Sequence, residues 1–248
     1  MRVALVADVH ANLPALRAVL ADAASRGCAE MWCAGDVVGR GPHPNQVIDE
    51  LRGLQIPTVQ GNWDEAVGMH RDQSGAAFAS AAAERAGHAS LAWTVSRTTE
   101  ANRAWLRSLP ANLRFEQNGS STLVFHGSPY RSTEYLWSDR PSRVFARIAA
   151  DEGDRIFACG HTHQQFQRAV GKSTFVAPGA SGCGAPDRES APYAILEFQP
   201  GEAEVEFVEV PYDRAAVLAE MAEHGLAADL LDVPPTARAA ESTEALSA

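Results

Sequence analysis

The sequence predicts an α/β fold, and three observations predict it. Short apolar runs alternate with amphipathic helical segments through residue 60, an Ala-rich helical segment follows, and hairpin signals take over from Leu113.

Arg2-Val-Ala-Leu-Val-Ala7 is a short apolar run of the kind that forms a buried strand. Asn12 then offers a helix cap and Pro14 suits the first turn. Leu13, Leu16, Val19, Leu20 and Ala23 recur at helical spacing until Gly27. Met31–Ala34 is a second strand closed by Gly35-Asp36. Pro44, Val47, Ile48, Leu51 and Leu54 mark a second helix, and Ile56–Val59 a third strand ending at Gly61-Asn62. Between about Ser74 and Leu109 two helices are expected, broken near Thr98-Thr99 and stopped by Pro110. Asn118-Gly119 is a turn between strands Leu113–Glu116 and Thr122–Phe125. A helix over Pro141–Ala150 and a strand over Arg155–Cys159 follow. Phe166–Val170 should pair with Ser173–Ala177 across Gly171-Lys172, and Tyr193–Phe198 with Val205–Val210 across Pro200-Gly201. A last helix lies near Arg214–His224. With no repeat and no convincing linker, residues 1–233 are expected to form one domain, and the small, polar, acidic stretch 234–248 a frayed tail.

At 248 residues, with 46% hydrophobic and 21% charged residues, the chain has enough material for a large core. No apolar run approaches the ~20 residues needed to span a bilayer, and the N-terminus lacks the h-region and cleavage site of a secretory signal, so a cytoplasmic protein is expected. Cys28, Cys33, Cys159 and Cys183 form no C-x-x-C pair and are expected to be reduced packing residues. A net charge of −10 works against binding a long polyanion such as DNA over a broad face, and leaves a small phosphorylated substrate compatible.

The polar residues of interest follow the apolar runs, where α/β folds place ligands. Asp8-Val9-His10 follows the first run, Gly35-Asp36 the second and Gly61-Asn62 the third. His126-Gly127 and Gly160-His161-Thr162-His163 follow two later ones. Asp and His gathered together suit Mn, Fe, Zn or Ni. Pairs at i and i+2, such as Asp8/His10 and His161/His163, reach a common centre when the backbone is extended or turning. An aspartate that gives both oxygens can bridge two cations ~3.5–4 Å apart, and such a pair makes hydroxide from water near neutral pH. Each block alone has a bland reading: Asp8 and His10 as helix-capping residues, Asp36 as a turn residue, His161 and His163 as an ordinary polar turn. Five blocks in order do not.

D-x-H, G-D-x-x-G-R-G (Gly35–Gly41), G-N-x-D (Gly61–Asp64), His126-Gly127 and G-H-T-H (Gly160–His163) together resemble the calcineurin-like metallophosphoesterase superfamily. The stretch Asp8–Pro14, with Pro178-Gly179-Ala180 and Ser181-Gly182, resembles its small bacterial and archaeal phosphodiesterase branch. The resemblance implies a four-layer sandwich of two mixed β-sheets flanked by α-helices. It implies two divalent metal ions and hydrolysis of a phosphoric ester by a hydroxide bridging them. Asp8, His10 and His163 would hold one metal, Asp36 would bridge, and Asn62, His126 and His161 would hold the other, with Asn62 also positioning the phosphate. Arg40 matches an arginine that grips phosphate in branches reading G-D-x-x-D-R-G, but Gly39 stands here in place of the aspartate.

A second departure is Trp63, where many members carry a histidine that assists the leaving group. An indole N–H donates a hydrogen bond but no acidic proton. That favours phosphodiesters or nucleotide-type substrates over alkyl monoesters, with His43 and His70 as the neighbours that could substitute for the missing acid. Trp63 is read as packing beneath the site in preference to stacking on a substrate base. Arg40 favours the alternative of a protein or phosphomonoester phosphatase, and Trp63 prompts a non-catalytic metal- or nucleotide-binding regulator. Tyr130, Tyr135 and Trp137 are candidates to line a pocket or to cover the core.

Overall fold

The computed structural model describes residues 1–153, 155–184, 189–200 and 202–232. The tail expected over 234–248 lies outside these residues, as does Gly201 of the expected Pro200-Gly201 turn.

The first half runs β1 (Arg2–Val6), α1 (Leu13–Ser25), β2 (Glu30–Cys33), α2 (Pro44–Gly53), α3 (Asn62–Gly68), α4 (Ala81–Arg97) and α5 (Glu100–Ser108). The second half runs β3 (Asn112–Gln117), β4 (Ser120–Phe125), α6 (Ser142–Glu152), β5 (Ile156–Ala158), β6 (Gln165–Val170), β7 (Ser173–Pro178), β8 (Ser190–Gln199), β9 (Glu202–Pro211) and α7 (Arg214–Glu223), with a 3-10 helix at Ala228–Leu231. No helix of the described residues is long and apolar enough to cross a membrane.

Two mixed sheets result, ordered β2-β1-β8-β9 and β3-β4-β5-β7-β6. In the first, β1 runs parallel to β2 and antiparallel to β8. In the second, β5 runs parallel to both β4 and β7. Strand alternation builds the layers. Val3 and Leu5 of β1 face an inter-sheet core with Val124, Ile156, Val176 and Leu196. Ala4 and Val6 face the other way, against Leu16 and Val19 of α1 and Ile48 and Leu51 of α2. The outer face of the second sheet presents Leu123, Phe125, Phe157 and Phe175 to Phe145 and Ile148 of α6. Helices, sheet, sheet and helix therefore stack as the expected four-layer sandwich, and strands buried on both faces read as continuous apolar runs.

Two local expectations change. Ile56–Val59 contributes a single parallel bridge, Cys33 to Thr58, and no regular strand. Asn62 is the first residue of helix α3 and does not end a strand. Gly61 has no side chain with which to cap that helix; Asp36 Oδ1, on the loop after β2, accepts the Trp63 N–H at 2.8 Å, and Asp64 Oδ2, in the helix's own first turn, accepts the Gly61 N–H at 2.9 Å. The break at Thr98-Thr99 is as expected, with the Thr99 hydroxyl capping α5, whereas α4 starts at the Ser80 cap rather than near Ser74.

Candidate metal centre

The loops after β1, β2, β4 and β5 and the start of α3 bring all seven predicted donors into one buried cluster. Asp8 and His10 are fully buried, and Asp36, Asn62, His126 and His161 are nearly so. Their backbones explain the convergence. Asp8, His10, Asp36, Arg40, His161 and His163 all have φ between 47° and 65°, so six of the ten positive-φ non-glycine residues among the described residues are predicted site residues. Left-handed backbone is costly for such residues and concentrates where side chains must be aimed.

His10 Nε2 lies 3.2 Å from His163 Nε2 and 3.7 Å from Asp36 Oδ2. His163 Nε2 is 3.6 Å from Asp8 Oδ1. On the other side, His126 Nε2 is 3.4 Å from Asp36 Oδ2, 4.0 Å from Asp8 Oδ1 and 3.0 Å from Asn62 Oδ1. Asp36 Oδ2 thus sits between the two halves while its Oδ1 is taken by the Trp63 N–H. Asp8/His10/Asp36 and Asp36/His126/His161 are each compact enough to hold a metal ion.

A second set of contacts fixes these side chains. His10 Nδ1 donates to Val38 O (3.2 Å) and His126 Nδ1 to Ala34 O (2.8 Å), which turns both Nε2 atoms inward. Asn62 Nδ2 donates to Ser74 O at 2.9 Å, leaving its Oδ1 for the cluster. The His161 N–H donates to both Asp8 oxygens at 3.1 Å. Gly61 allows the approach of Asp36, because a Cβ there would meet Asp36 Oδ1 at 2.2 Å. Buried without a hydrogen-bond partner are His161 Nε2, His163 Nδ1 and Arg40 Nε.

The electrostatics are those of a charge-dense cavity in a dry interior. Burial pushes the Asp8 carboxyl up to about 7, against the pull of His126. Burial acts the same way on Asp36, but the neighbouring His126, His10 and His161 outweigh it and hold Asp36 below the usual carboxylate range. For His126 burial opposes the charge, yet the Asp36 and Asp8 carboxylates raise it to about 9. Burial drives His10 and His161 down to about 3 and His163 well below its ordinary value. His10, His161 and His163 are therefore neutral imidazoles and Asp36 an ionised carboxylate, as divalent cations require, whereas Asp8 and His126 would each give up a proton as cations bind.

The other predicted residues divide. The Arg40 guanidinium is buried beside the cluster, donating from Nη1 to Leu230 O at 3.1 Å and lying 5.8 Å from the Trp63 ring. Trp63 is buried, with its ring edge-on to His10 at 5.9 Å. His43 is engaged by Glu220 of α7, and His70 is exposed at the end of α3. Tyr130 is exposed and bonded to Asp151. Three further residues adjoin the donors: Tyr135, expected to line a pocket or cover the core; Asp64, the last residue of the G-N-x-D motif; and Cys183, expected only to pack. The Tyr135 ring stacks on His161 at 3.9 Å and on Trp137 at 5.2 Å. Asp64 accepts from the Val37 and Val38 N–H groups at 2.9 and 3.2 Å, bracing the Asp36 loop. Cys183 lies with His10 and His163, their ligand atoms within 4.8 Å of one another.

Comparisons with known proteins bear on the family and the fold. The family signature described as the calcineurin-like phosphoesterase superfamily domain matches residues 1–201. A protein of Methanocaldococcus jannaschii, the uncharacterised MJ0912, is 30% identical over 228 residues, covering 85% of this chain and 88% of its own. The crystal structure of a metallophosphoesterase from Sphaerobacter thermophilus is 28% identical with a TM-score of 0.72, covering 93% of this chain and 96% of its own. A hypothetical protein of Pyrococcus horikoshii, PH1004, shares the fold at 20% identity, with a TM-score of 0.78 and coverage of 93% and 96%.

Proposed function

The chain belongs to the calcineurin-like phosphoesterase superfamily and is a hydrolase of phosphoric esters, and on that premise we propose that its substrates are small phosphodiesters or nucleotide-type anhydrides. The observation that carries the proposal is the meeting of seven donors in one buried cluster: Asp8, His10, Asp36, Asn62, His126 and His163 are linked by separations of 3.0–4.0 Å, and His161 has its ligand atom within 4.8 Å of those of Asp36 and His126.

These donors fit two divalent ions. The orphaned His161 Nε2 lacks the partner that burial demands, and neutral imidazoles with carboxylates match Mn, Fe, Zn or Ni. Asp8, His10 and His163 would hold one ion and Asn62, His126 and His161 the other, with Asp36 between. When bound, such a pair would polarise the phosphoryl oxygens and lower the pKa of a water toward ~7, so that hydroxide is available near neutral pH.

The protein's own groups do the rest. Asp36, fixed through the Trp63 N–H, keeps one oxygen for both halves of the site. Asn62, anchored on Ser74 O, positions a phosphoryl oxygen beside His126. Arg40 offers a buried Nε–H with no partner, suited to a non-bridging oxygen of the phosphate.

The leaving group receives no proton from position 63, because Trp63 packs against His10, and His43 is committed to Glu220. Low-pKa leaving groups suit such a site, and a missing general acid costs ~10²–10⁴-fold with poor ones. A cytoplasmic setting fits four unpaired cysteines. Residues 1–233 act as one unit on this reading, since the Leu230 carbonyl reaches back to Arg40.

The test is a leaving-group series on Mn²⁺- and Zn²⁺-loaded protein. Diesters should be turned over with rates falling steeply as the leaving-group pKa rises. Faster turnover of alkyl monoesters than of aryl diesters would overturn the diester assignment.

A further inference from the structure

We infer that Cys183 is a sulfur ligand of the cation held by His10 and His163, and that this half of the site therefore selects zinc, cobalt or iron(II) over manganese and magnesium. The inference rests on the two-cation reading above and adds a donor that the seven-residue set does not contain.

The backbone places the thiol deliberately. The turn Ser181-Gly182-Cys183 is laid on the loop that carries Asp8 and His10: Ser181 N–H donates to Ala7 O at 2.9 Å and Gly182 N–H to Asp8 O at 3.0 Å. Asn12 Nδ2 ties the same turn down by donating to Gly182 O at 2.9 Å. The packing is so close that a Cβ on Gly182 would meet Val9 O at 1.7 Å. Cys183 is thereby held, almost fully buried, with its Sγ within 4.8 Å of the ligand nitrogens of both histidines.

The histidines already have the spacing of a ligand pair. His10 Nδ1 is committed to Val38 O, so Nε2 faces His163 Nε2 with its lone pair, only 3.2 Å away. Two metal–nitrogen bonds of ~2.0–2.1 Å meeting near the tetrahedral angle span ~3.4 Å, and a thiolate completes such a site at ~2.3 Å. The sulfur's own contact, to Leu230 O at 3.9 Å, is weak. The same carbonyl receives the Arg40 guanidinium at 3.1 Å, which sets a fixed positive charge beside the sulfur. On binding, the thiol proton passes to solvent and the S–metal bond replaces it. A soft sulfur donor among imidazoles favours zinc, cobalt or iron(II) over the harder ions.

Full-length protein stripped with a chelator and reloaded with cobalt(II) tests this. The inference expects two cobalt ions per chain and a near-ultraviolet thiolate-to-cobalt charge-transfer band. Cys183→Ser should abolish the band and weaken zinc binding by at least about tenfold, with manganese affinity changed far less, while Cys28→Ser should leave the band intact. Two cobalt ions without the band in the unmodified protein would overturn the sulfur ligand and leave the two-cation reading standing. Failure to bind cobalt at all would overturn both. Should Cys183→Ser not fold, zinc-edge absorption of the unmodified protein decides: a sulfur scatterer at ~2.3 Å supports the ligand, and a shell of only nitrogen and oxygen refutes it.

Discussion

The indole of Trp63 fills the space that a side chain at position 39 would occupy: a Cβ on Gly39 would meet Trp63 Cε3 at 2.3 Å. Two departures from the family pattern, glycine for aspartate at 39 and tryptophan for histidine at 63, are therefore one packing solution. Gly39 also has φ +88°, a conformation that disfavours any side chain. Gly39→Asp should cost about 2 kcal/mol or more through overpacking and strain. Trp63→His alone should also destabilise, by leaving a void beneath His10. The double variant should be more stable than the sum of the two, by at least ~1 kcal/mol in urea denaturation. Additive effects would show that the two positions are independent.

Asp36→Asn isolates the bridge. The amide oxygen can still accept the Trp63 N–H, so α3 keeps its cap. The NH₂ group, however, replaces the oxygen that lies 3.7 Å from His10 and 3.4 Å from His126. The variant should fold, lose metal affinity and lose turnover by at least ~10²-fold. Titration calorimetry with Mn²⁺ beside an aryl diester assay reads both.

His126 makes the metal-free protein sensitive to alkali. Its folded value is raised to about 9, so its contribution to stability is full below about 6.5 and is lost as pH rises through 9. A single proton corresponds to about 1.4 kcal/mol per pH unit within that window. Melting temperature of the stripped protein should fall between pH 7 and pH 9. Metal loading should flatten the decline, because the cation takes the place of that proton. A stripped protein equally stable at both values would show that the Asp36–His126 pair does not hold the charge.

Tyr135 orients His161 through its ring face and not through its hydroxyl, which accepts the Ala77 N–H at 3.0 Å. Tyr135→Phe should therefore retain metal affinity, at a cost of roughly 1 kcal/mol in stability. Tyr135→Ala should weaken metal binding about tenfold or more by freeing the imidazole. Equal losses in the two variants would point to the hydroxyl instead.

Six of the seven donors follow the strands β1, β2, β4 and β5, and a strand-end turn leaves a local mark in sequence; Asn62 opens helix α3 and was legible through its place in the order of motifs. The layers were legible because both faces of β1 are apolar. Helix α3 was not, since its N-cap residue is a glycine and the carboxylate that accepts the Trp63 N–H comes from Asp36, 27 residues away. The Ile56–Val59 run looked like a strand but finds only one bridging partner. Arg40 meets Leu230, and Cys183 meets His10, across more than 170 residues of chain, contacts that no spacing rule encodes. Gly39 and Trp63 each read as a loss when taken alone, and only their contact makes them a pair.

Whether a pair of cations sits where these side chains meet is decided by anomalous diffraction from a crystal soaked in Mn²⁺ or Zn²⁺. Two peaks ~3.5–4 Å apart should flank Asp36 Oδ2, one beside His10 and His163 and the other beside His126 and His161. A map with no peak in that cavity, or with ions bound only elsewhere on the surface, would contradict the two-cation reading.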